Sequence, residues 1–435
     1  MNHAGCNKII PAPTLLAVAL VATLQLAGIA RADDLADLRA ELSILRAEQA
    51  RLAELQKKNE SALLTLESRL AMTGQTVAPP APSATPTPTP SDAKPYSTWT
   101  VTGDFRVRNQ LDTSDQRAPD RDRSQIRARL AATYRLNDWL RIGARAVTGD
   151  PDDPKSSDAQ IQTWNNDLQT SLDLAYLQMD FGHTSIYAGK FPQIFARTEL
   201  VWDGDVTLSG IGATHKKILA SGASVRSSAA IFFVDEQAVG PDSRMGGLQV
   251  GYDSPSANLV RFDVSAGLYR YQIGSIANAN KIDFRSNLRR PDGVYLSDYH
   301  IGDLIVGATW PRPDSAWPIR VVADFAKNFG AANDRNEAYG IDLIMGRAAK
   351  AGDLRLAYGY SKTEVDAVLA AFSTDNIGLG TNYRLHALTI DYTPTARTQL
   401  SGIWYHYKQN DPAFVSTYSP TDWLNRFRLY FQVNF

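Results

Sequence analysis

The sequence predicts an all-β protein: a 16-stranded up-and-down transmembrane β-barrel preceded by an N-terminal α-helical coiled coil. Three observations predict it. From about residue 97 to Phe435, apolar and polar residues alternate in one segment after another, and a period of two belongs to strands, whose successive side chains leave opposite faces. The connections between those segments alternate between short and long, as in a membrane barrel with tight turns at one end and long loops at the other. Residues 34–72 carry leucines at heptad spacing, without Gly or Pro, which is the pattern of a coiled coil.

The first element is a secretory signal peptide over residues 1–32. Lys8 is followed by the apolar stretch PTLLAVALVATLQLAGIA and by Ala30-Arg31-Ala32, a small-x-small cleavage site, so the mature chain is expected to start at Asp33. An uncleaved anchor helix is the alternative. Cys6 is the single cysteine and would leave with the signal, which excludes disulfides and thiolate metal sites from the mature chain. No apolar run of eighteen residues follows, so helical spans are excluded while a barrel is not. The formal net charge of −1 provides no basic surplus for nucleic acid.

A coiled coil is expected over 33–76. Leu35, Leu42, Gln49, Gln56, Leu63 and Leu70 make one seam row, and Leu38, Leu45, Leu52, Asn59 and Leu66 the other. The polar layers weaken the seam and help to fix register and strand number; a single amphipathic helix lying on another surface is the alternative. Residues 77–96, with VAPPAPSATPTPTPSDAK at their centre, form a Pro-rich linker that favours extended polyproline.

Residues 97–435 hold sixteen candidate strands. WTVTGDFRV sets Trp99, Val101, Phe105 and Val107 against Thr100, Thr102, Asp104 and Arg106; IRARLAATY, VRFDVSAGLY, IRVVADF and YGIDLIM behave likewise. SLDLAYLQMDF (171–181) and TLSGIGATHKK (207–217) fit neither phase. Trp99, Tyr134, Trp139, Phe181, Tyr252, Trp310, Trp317, Tyr392 and Phe435 fall beside the short turns, where an interfacial aromatic girdle is expected. The chain ends on RLYFQVNF, a strand expected to close the barrel with nothing behind it to crowd the seam.

LDLAYLQM (172–179), YAGKFP (187–192), WDGDVTLSGIGA (202–213), TEVDAVLAAF (363–372) and TNYRLHALTIDY (381–392) resemble the bacterial Putative porin family. The resemblance implies an exported coiled coil, an outer-membrane barrel, passive transport of small solutes and no catalytic residues. Phe435 resembles the terminal signal read by the outer-membrane barrel assembly machinery. The coiled coil with its linker is also similar to phosphate-selective porins, without their sequence hallmarks.

The polar parity is expected to face the lumen, since a charged Arg or Lys at mid-bilayer costs about 2–4 kcal/mol. On that basis Arg106, Arg108, Arg127, Arg129, Arg141 and Arg145 form a basic wall, joined by Lys190, with Asp104, Asp263, Asp324 and Asp342 as opposing carboxylates. Two readings stand: a strip that favours anions, or charges paired with one another that merely line a wet pore. GDPDDPKSSD (149–158) is a weak Ca2+ candidate, and the loops 149–169 and 192–205 are candidate constrictions. The six histidines, His3, His183, His215, His300, His386 and His406, have no metal-ligand spacing, and GxSxG is absent, so no cofactor and no enzyme is expected. A histidine–serine lipase site at His386 or His406 is the remote exception.

The functional expectation is a trimeric diffusion porin in the bacterial outer membrane with its coiled coil in the periplasm. Its partners would be small solutes, membrane lipid and lipopolysaccharide, the assembly machinery through Phe435, and two further copies of the chain, with no nucleic acid. The alternative is an envelope-organising protein, with the barrel as membrane anchor and the coiled coil as tether.

Overall fold

The structure is a computed structural model that describes residues 98–435, apart from 116, 163, 165, 239, 258, 277–278, 280, 313–316 and 415–420, and apart from the side chains at 117–119. The expected signal peptide (1–32), coiled coil (33–76) and linker (77–96) lie outside the described residues. Sixteen long strands follow: β1 (Thr98–Ser114), β2 (Arg117–Arg135), β3 (Leu140–Thr148), β4 (Thr170–Phe181), β5 (Thr184–Phe191), β6 (Leu208–Ile218), β7 (Ser224–Asp235) and β8 (Ser243–Asp253) make one half. The other half is β9 (Arg261–Gln272), β10 (His300–Trp310), β11 (Ile319–Asn328), β12 (Glu337–Gly346), β13 (Leu354–Thr363), β14 (Tyr383–Tyr392), β15 (Thr398–Gln409) and β16 (Leu424–Asn434). A two-residue strand, Ala159–Gln160, pairs with β2 from inside a loop.

Each long strand pairs antiparallel with the next, and β16 returns to β1, with Asp104 opposite Asn434 and Thr113 opposite Asn425. Closure leaves no sheet edge unpaired. Gly103 and Phe435 exchange backbone hydrogen bonds of 2.8 and 3.0 Å at the seam. A side chain at Gly103 would strike the Phe435 ring, so glycine there lets the last ring lie flat across the junction.

Burial runs opposite to that of a water-soluble domain. On β1, Trp99, Val101, Phe105 and Val107 are exposed, while Asp104, Arg108, Gln110 and Asp112 are buried. The other strands repeat the arrangement with Leu248 and Leu268, Ile341 and Leu343, Leu429 and Phe431 outward. An apolar exterior around a polar interior is the mark of a barrel dissolved in lipid. Eight of the nine girdle aromatics are exposed, with Tyr134 half-buried; Trp99 lies on Tyr134 at 4.7 Å, and Trp139 on Phe181 at 5.9 Å.

The two segments that lack a clean phase do so for a local reason. The β3–β4 register shifts between Arg145 and Ala146, leaving Asp173 as an extra residue in β4, and such a bulge swaps the faces on either side of it. Gly189 of β5 and Gly210 of β6 stand opposite each other with φ of 110° and 151°. A Cβ on either would collide with the carbonyl oxygen of Ala175 or Ile231.

Long loops fold into the barrel and build an apolar core there. Phe195, Leu200, Val201, Trp202 and Val206 of loop 192–207 are buried against Phe232, Met245, Tyr269 and Tyr271 of the wall. Val368, Leu369, Ala371 and Phe372 of loop 364–382, and Ile276, Tyr295 and Tyr299 of loop 273–299, complete the cluster. Such packing includes one of the two sequence-defined constriction candidates, 192–205, and adds loops 273–299 and 364–382.

Candidate functional site: the barrel interior

Closing β16 onto β1 brings together arginines from both ends of the barrel. Arg106 and Arg108 of β1, Arg123, Arg127 and Arg129 of β2, and Arg426 and Arg428 of β16 share the inward face. Buried guanidinium groups need anions and acceptors close at hand, and each finds one. Asp158, from loop 149–169, bridges Arg106 at 2.7 Å and Arg108 at 2.8 Å. Asp104 lies between Arg127 at 2.9 Å and Arg129 at 2.7 Å, and Asp112 between Arg426 at 2.6 Å and Arg123 at 3.1 Å. Asp205, from loop 192–207, reaches Arg129 at 3.0 Å. Arg428 donates to Gln110 Oε1 and Asn376 Oδ1, both at 2.9 Å, and its guanidinium stands 5.4 Å above the Tyr405 ring.

Four carboxylates thus touch six of the seven arginines, and the wall keeps an excess of positive charge. Burial pushes the Asp158 carboxyl up, but the Arg108 and Arg106 guanidinium groups beside it prevail and hold it below the usual carboxylate range.

The loops present the opposite sign. Asp203 is buried beneath the loop 192–207 backbone, accepting from Asp205 N at 2.8 Å and Asp375 N at 3.1 Å. Burial first, then the neighbouring Asp375 and Glu199 carboxylates, push its pKa up. Glu199 moves the same way, again chiefly through burial. A cavity of about 130 Å3 is lined by Glu199, Thr198, Asp324, Asp342, Tyr360 and Tyr383, among others. Thr198 donates its hydroxyl to Asp324, which fastens loop 192–207 to β11.

Three ties hold the inward loops together. Lys155 Nζ, buried, donates to Ala370 O at 2.9 Å and pairs with Asp283 at 3.1 Å, joining loops 149–169, 364–382 and 273–299. Asn287 Nδ2 donates to Val365 O and Val368 O at 2.8 and 2.9 Å. Asp366 accepts from Leu288 N, Ser297 Oγ, Tyr299 OH and Asn333 Nδ2.

The residues singled out in the sequence fall into three groups. Arg106, Arg108, Arg127 and Arg129 come together as described. Arg145 and Arg141 lie lower on the same wall, paired with Asp173 at 2.5 Å and Asp180 at 3.2 Å. Asp324 and Asp342 share the small cavity, whereas Asp263 stands apart, bound to Arg320 at 2.6 Å.

Lys190 differs from its sequence assignment. Its register partners are Ala175 and Ser209, it is exposed at the loop end of β5, and it shares parity with Ile186 and Ala188 on the outward face. Nor do the carboxylates of 149–158 group around a cation: Asp150 and Asp153 pair with Lys281 at 2.8 and 3.2 Å, and Asp158 holds the arginines. His386 and His406 are neighbours on the outward face, bonded to Tyr358 OH and Asn425 Oδ1 rather than to a serine.

Sequence reasoning missed Arg426 and Arg428, Asp112, Asp158, Glu199 and Asp375. The arginine parity of the last strand was a usable signal; no spacing rule marks a loop residue that folds back inside a barrel.

A closed strand ring with an apolar exterior, a charged interior and loops folded inward defines a porin-like outer-membrane β-barrel channel. Residues 87–291 match the family model described as Putative porin, and over that segment the chain is similar to that family. No curated protein matches it in sequence. Among solved structures it is similar to the high-pH form of Pseudomonas putida OprB, at 13% identity with a TM-score of 0.52, covering 78% of this chain and 94% of that one. Salmonella typhi OmpF in complex with daunomycin matches at 13% identity and TM-score 0.49, over 78% and 98%. A loop L8 deletion mutant of Vibrio cholerae OmpT, an outer membrane protein, matches at 14% and 0.48, over 78% and 100%. At such identities OprB speaks for the fold alone.

Proposed function

We propose that the protein is a passive diffusion channel for small polar and ionic solutes, whose passage runs between an arginine wall and carboxylate-bearing loops. The observation that carries this reading is the charge separation across the interior. Arg106, Arg108, Arg127, Arg129, Arg426 and Arg428 stand on β1, β2 and β16, and Glu199, Asp203 and Asp375 stand on the loops. Opposed charged walls create a transverse field in a low-dielectric frame. That field orients dipolar solutes, and the excess of guanidinium groups favours anions over cations. In this reading three copies assemble through the barrel and the coiled coil of residues 33–76, and Phe435 is the terminal residue recognised during insertion.

Reversal potentials in a salt gradient across planar bilayers test it. Carboxyls whose pKa is raised take up protons at higher pH than ordinary carboxylates, so Glu199, pushed up to about 7, loses its negative charge as the pH falls while the arginines keep theirs and Asp203, pushed higher still, holds its proton throughout. The expected result is a stable conductance with an anion preference that grows as the pH is lowered from 8 to 5. A cation preference that grows over the same range overturns the proposal. A barrel that conducts nothing supports the second reading, a plugged membrane anchor with the coiled coil as envelope tether, which the apolar packing of Trp202, Phe372 and Tyr299 inside the barrel favours.

A further inference from the structure

The outward wall of β6–β10 is not an even surface. Following the register around the barrel, His300 lies opposite Arg270, Arg270 opposite Gly246, Gly246 opposite Ile231, and Ile231 opposite Ile211. One step toward the short turns lie Leu268, Leu248, Ala229 and Ala213. The small residues Gly246, Ala229 and Ala213 run as a sunken diagonal between the isoleucines on one side and the leucines on the other. Phe329 stands off the wall over Gly302 and closes one flank. The result is a groove of about 780 Å3. At Gly246 it is open, since a Cβ there would touch nothing within 4 Å.

Its polar end is cationic. Arg270 lies two residues from the loop end of β9, outward and exposed, and has no hydrogen bond or ion pair within the described residues. Arg244, one register pair further toward the loops on the same face, donates to Gln272 Oε1 at 2.8 Å. No carboxylate lines the groove. Long loops mark the outer side of such barrels, so these arginines sit at the headgroup level of the outer leaflet, where the available anions are lipid phosphates. Arginine recognises phosphate by paired charge-assisted hydrogen bonds, and an apolar groove below it accepts hydrocarbon.

We propose that this groove is a lipid site: it takes one acyl chain of a phosphorylated outer-leaflet lipid, the lipid A of lipopolysaccharide, with a phosphate on Arg270 and Arg244. Chain burial in the small-residue diagonal and phosphate pairing at the rim act on one molecule. A neutral or zwitterionic lipid would satisfy the groove alone.

Native mass spectrometry of the full chain in detergent tests the site with bisphosphorylated lipid A and phosphatidylethanolamine as probes. Wild type is expected to retain lipid A in preference to phosphatidylethanolamine. Arg270→Gln is expected to lower lipid A retention at least fivefold without changing that of phosphatidylethanolamine. Gly246→Phe, which fills the groove, is expected to lower it at least threefold with the oligomer distribution unchanged. Lipid A retention that is equal in wild type and both variants overturns the proposal, as does equal retention of the two lipids by wild type. Loss of oligomers in Gly246→Phe with lipid A binding intact also overturns it, and assigns the face to a second copy of the chain. Heat-modifiable gel mobility verifies that each variant is folded.

Discussion

Asp158 shows how one loop side chain organises the arginine wall. It is almost wholly buried between Arg106 and Arg108, and removing one partner of a buried pair leaves the other charge uncompensated, at a cost of about 3–5 kcal/mol. Asp158→Asn is therefore expected to release loop 149–169 and to make Arg106 and Arg108 available to solutes. Faster proteolysis within 149–169 and a stronger anion preference in the reversal potential are the measurements, and an unchanged loop and potential would refute the assignment. The pH dependence follows from sign: the carboxyl is depressed in the folded state, so its contribution is complete above the ordinary carboxylate pKa of about 4 and is lost as pH falls through the lower folded value. Acid release of this loop belongs below that ordinary carboxylate value. Glu199 and Asp203 respond in the opposite sense, holding protons above the ordinary carboxylate range.

At the scale of the element, loop 192–207 is an inward strap held by apolar burial more than by charge. Trp202 is fully buried, stacked near Phe195 at 6.2 Å and Phe372 at 6.1 Å, with Tyr269 edge-on at 5.3 Å. Truncating a buried tryptophan costs about 3–5 kcal/mol. Trp202→Ala is expected to leave the strand ring intact while loosening the strap, because the inter-strand hydrogen bonds do not depend on it. Larger and noisier single-channel currents, with unchanged heat-modifiable mobility, are the expected outcome; identical currents would show that the strap does not bound the passage. Loops 273–299 and 364–382 are tied separately by Asn287 and Asp366, so they are expected to stay docked in this variant.

For the whole molecule, closure is the decisive event. The β1–β16 pairing joins residues more than three hundred positions apart, and only then do Arg426 and Asp112 meet. If the coiled coil drives assembly, deletion of residues 33–76 is expected to convert trimers to monomers by light scattering while conductance per barrel is kept; trimers that persist would remove that role. Much of the fold was legible because alternation in segments such as Trp99 to Val107 reports which side meets lipid. The alternation broke at Asp173, where a bulge reset the phase; β5 runs in register through Gly189, and its parity places Lys190 outward. Within the interior, the arginines of β1 and β2 were legible by parity, whereas Asp158, Glu199 and Asp375 were not.

The sequence by itself determined the barrel, its strand number and its two-sided chemistry, because lipid on one face and a polar interior on the other impose a repeat that each strand carries locally. Only the tertiary structure decided which charges meet and which loops fill the interior. Those contacts link loops to distant strands through the space inside the ring, and no short-range pattern encodes a distance across it.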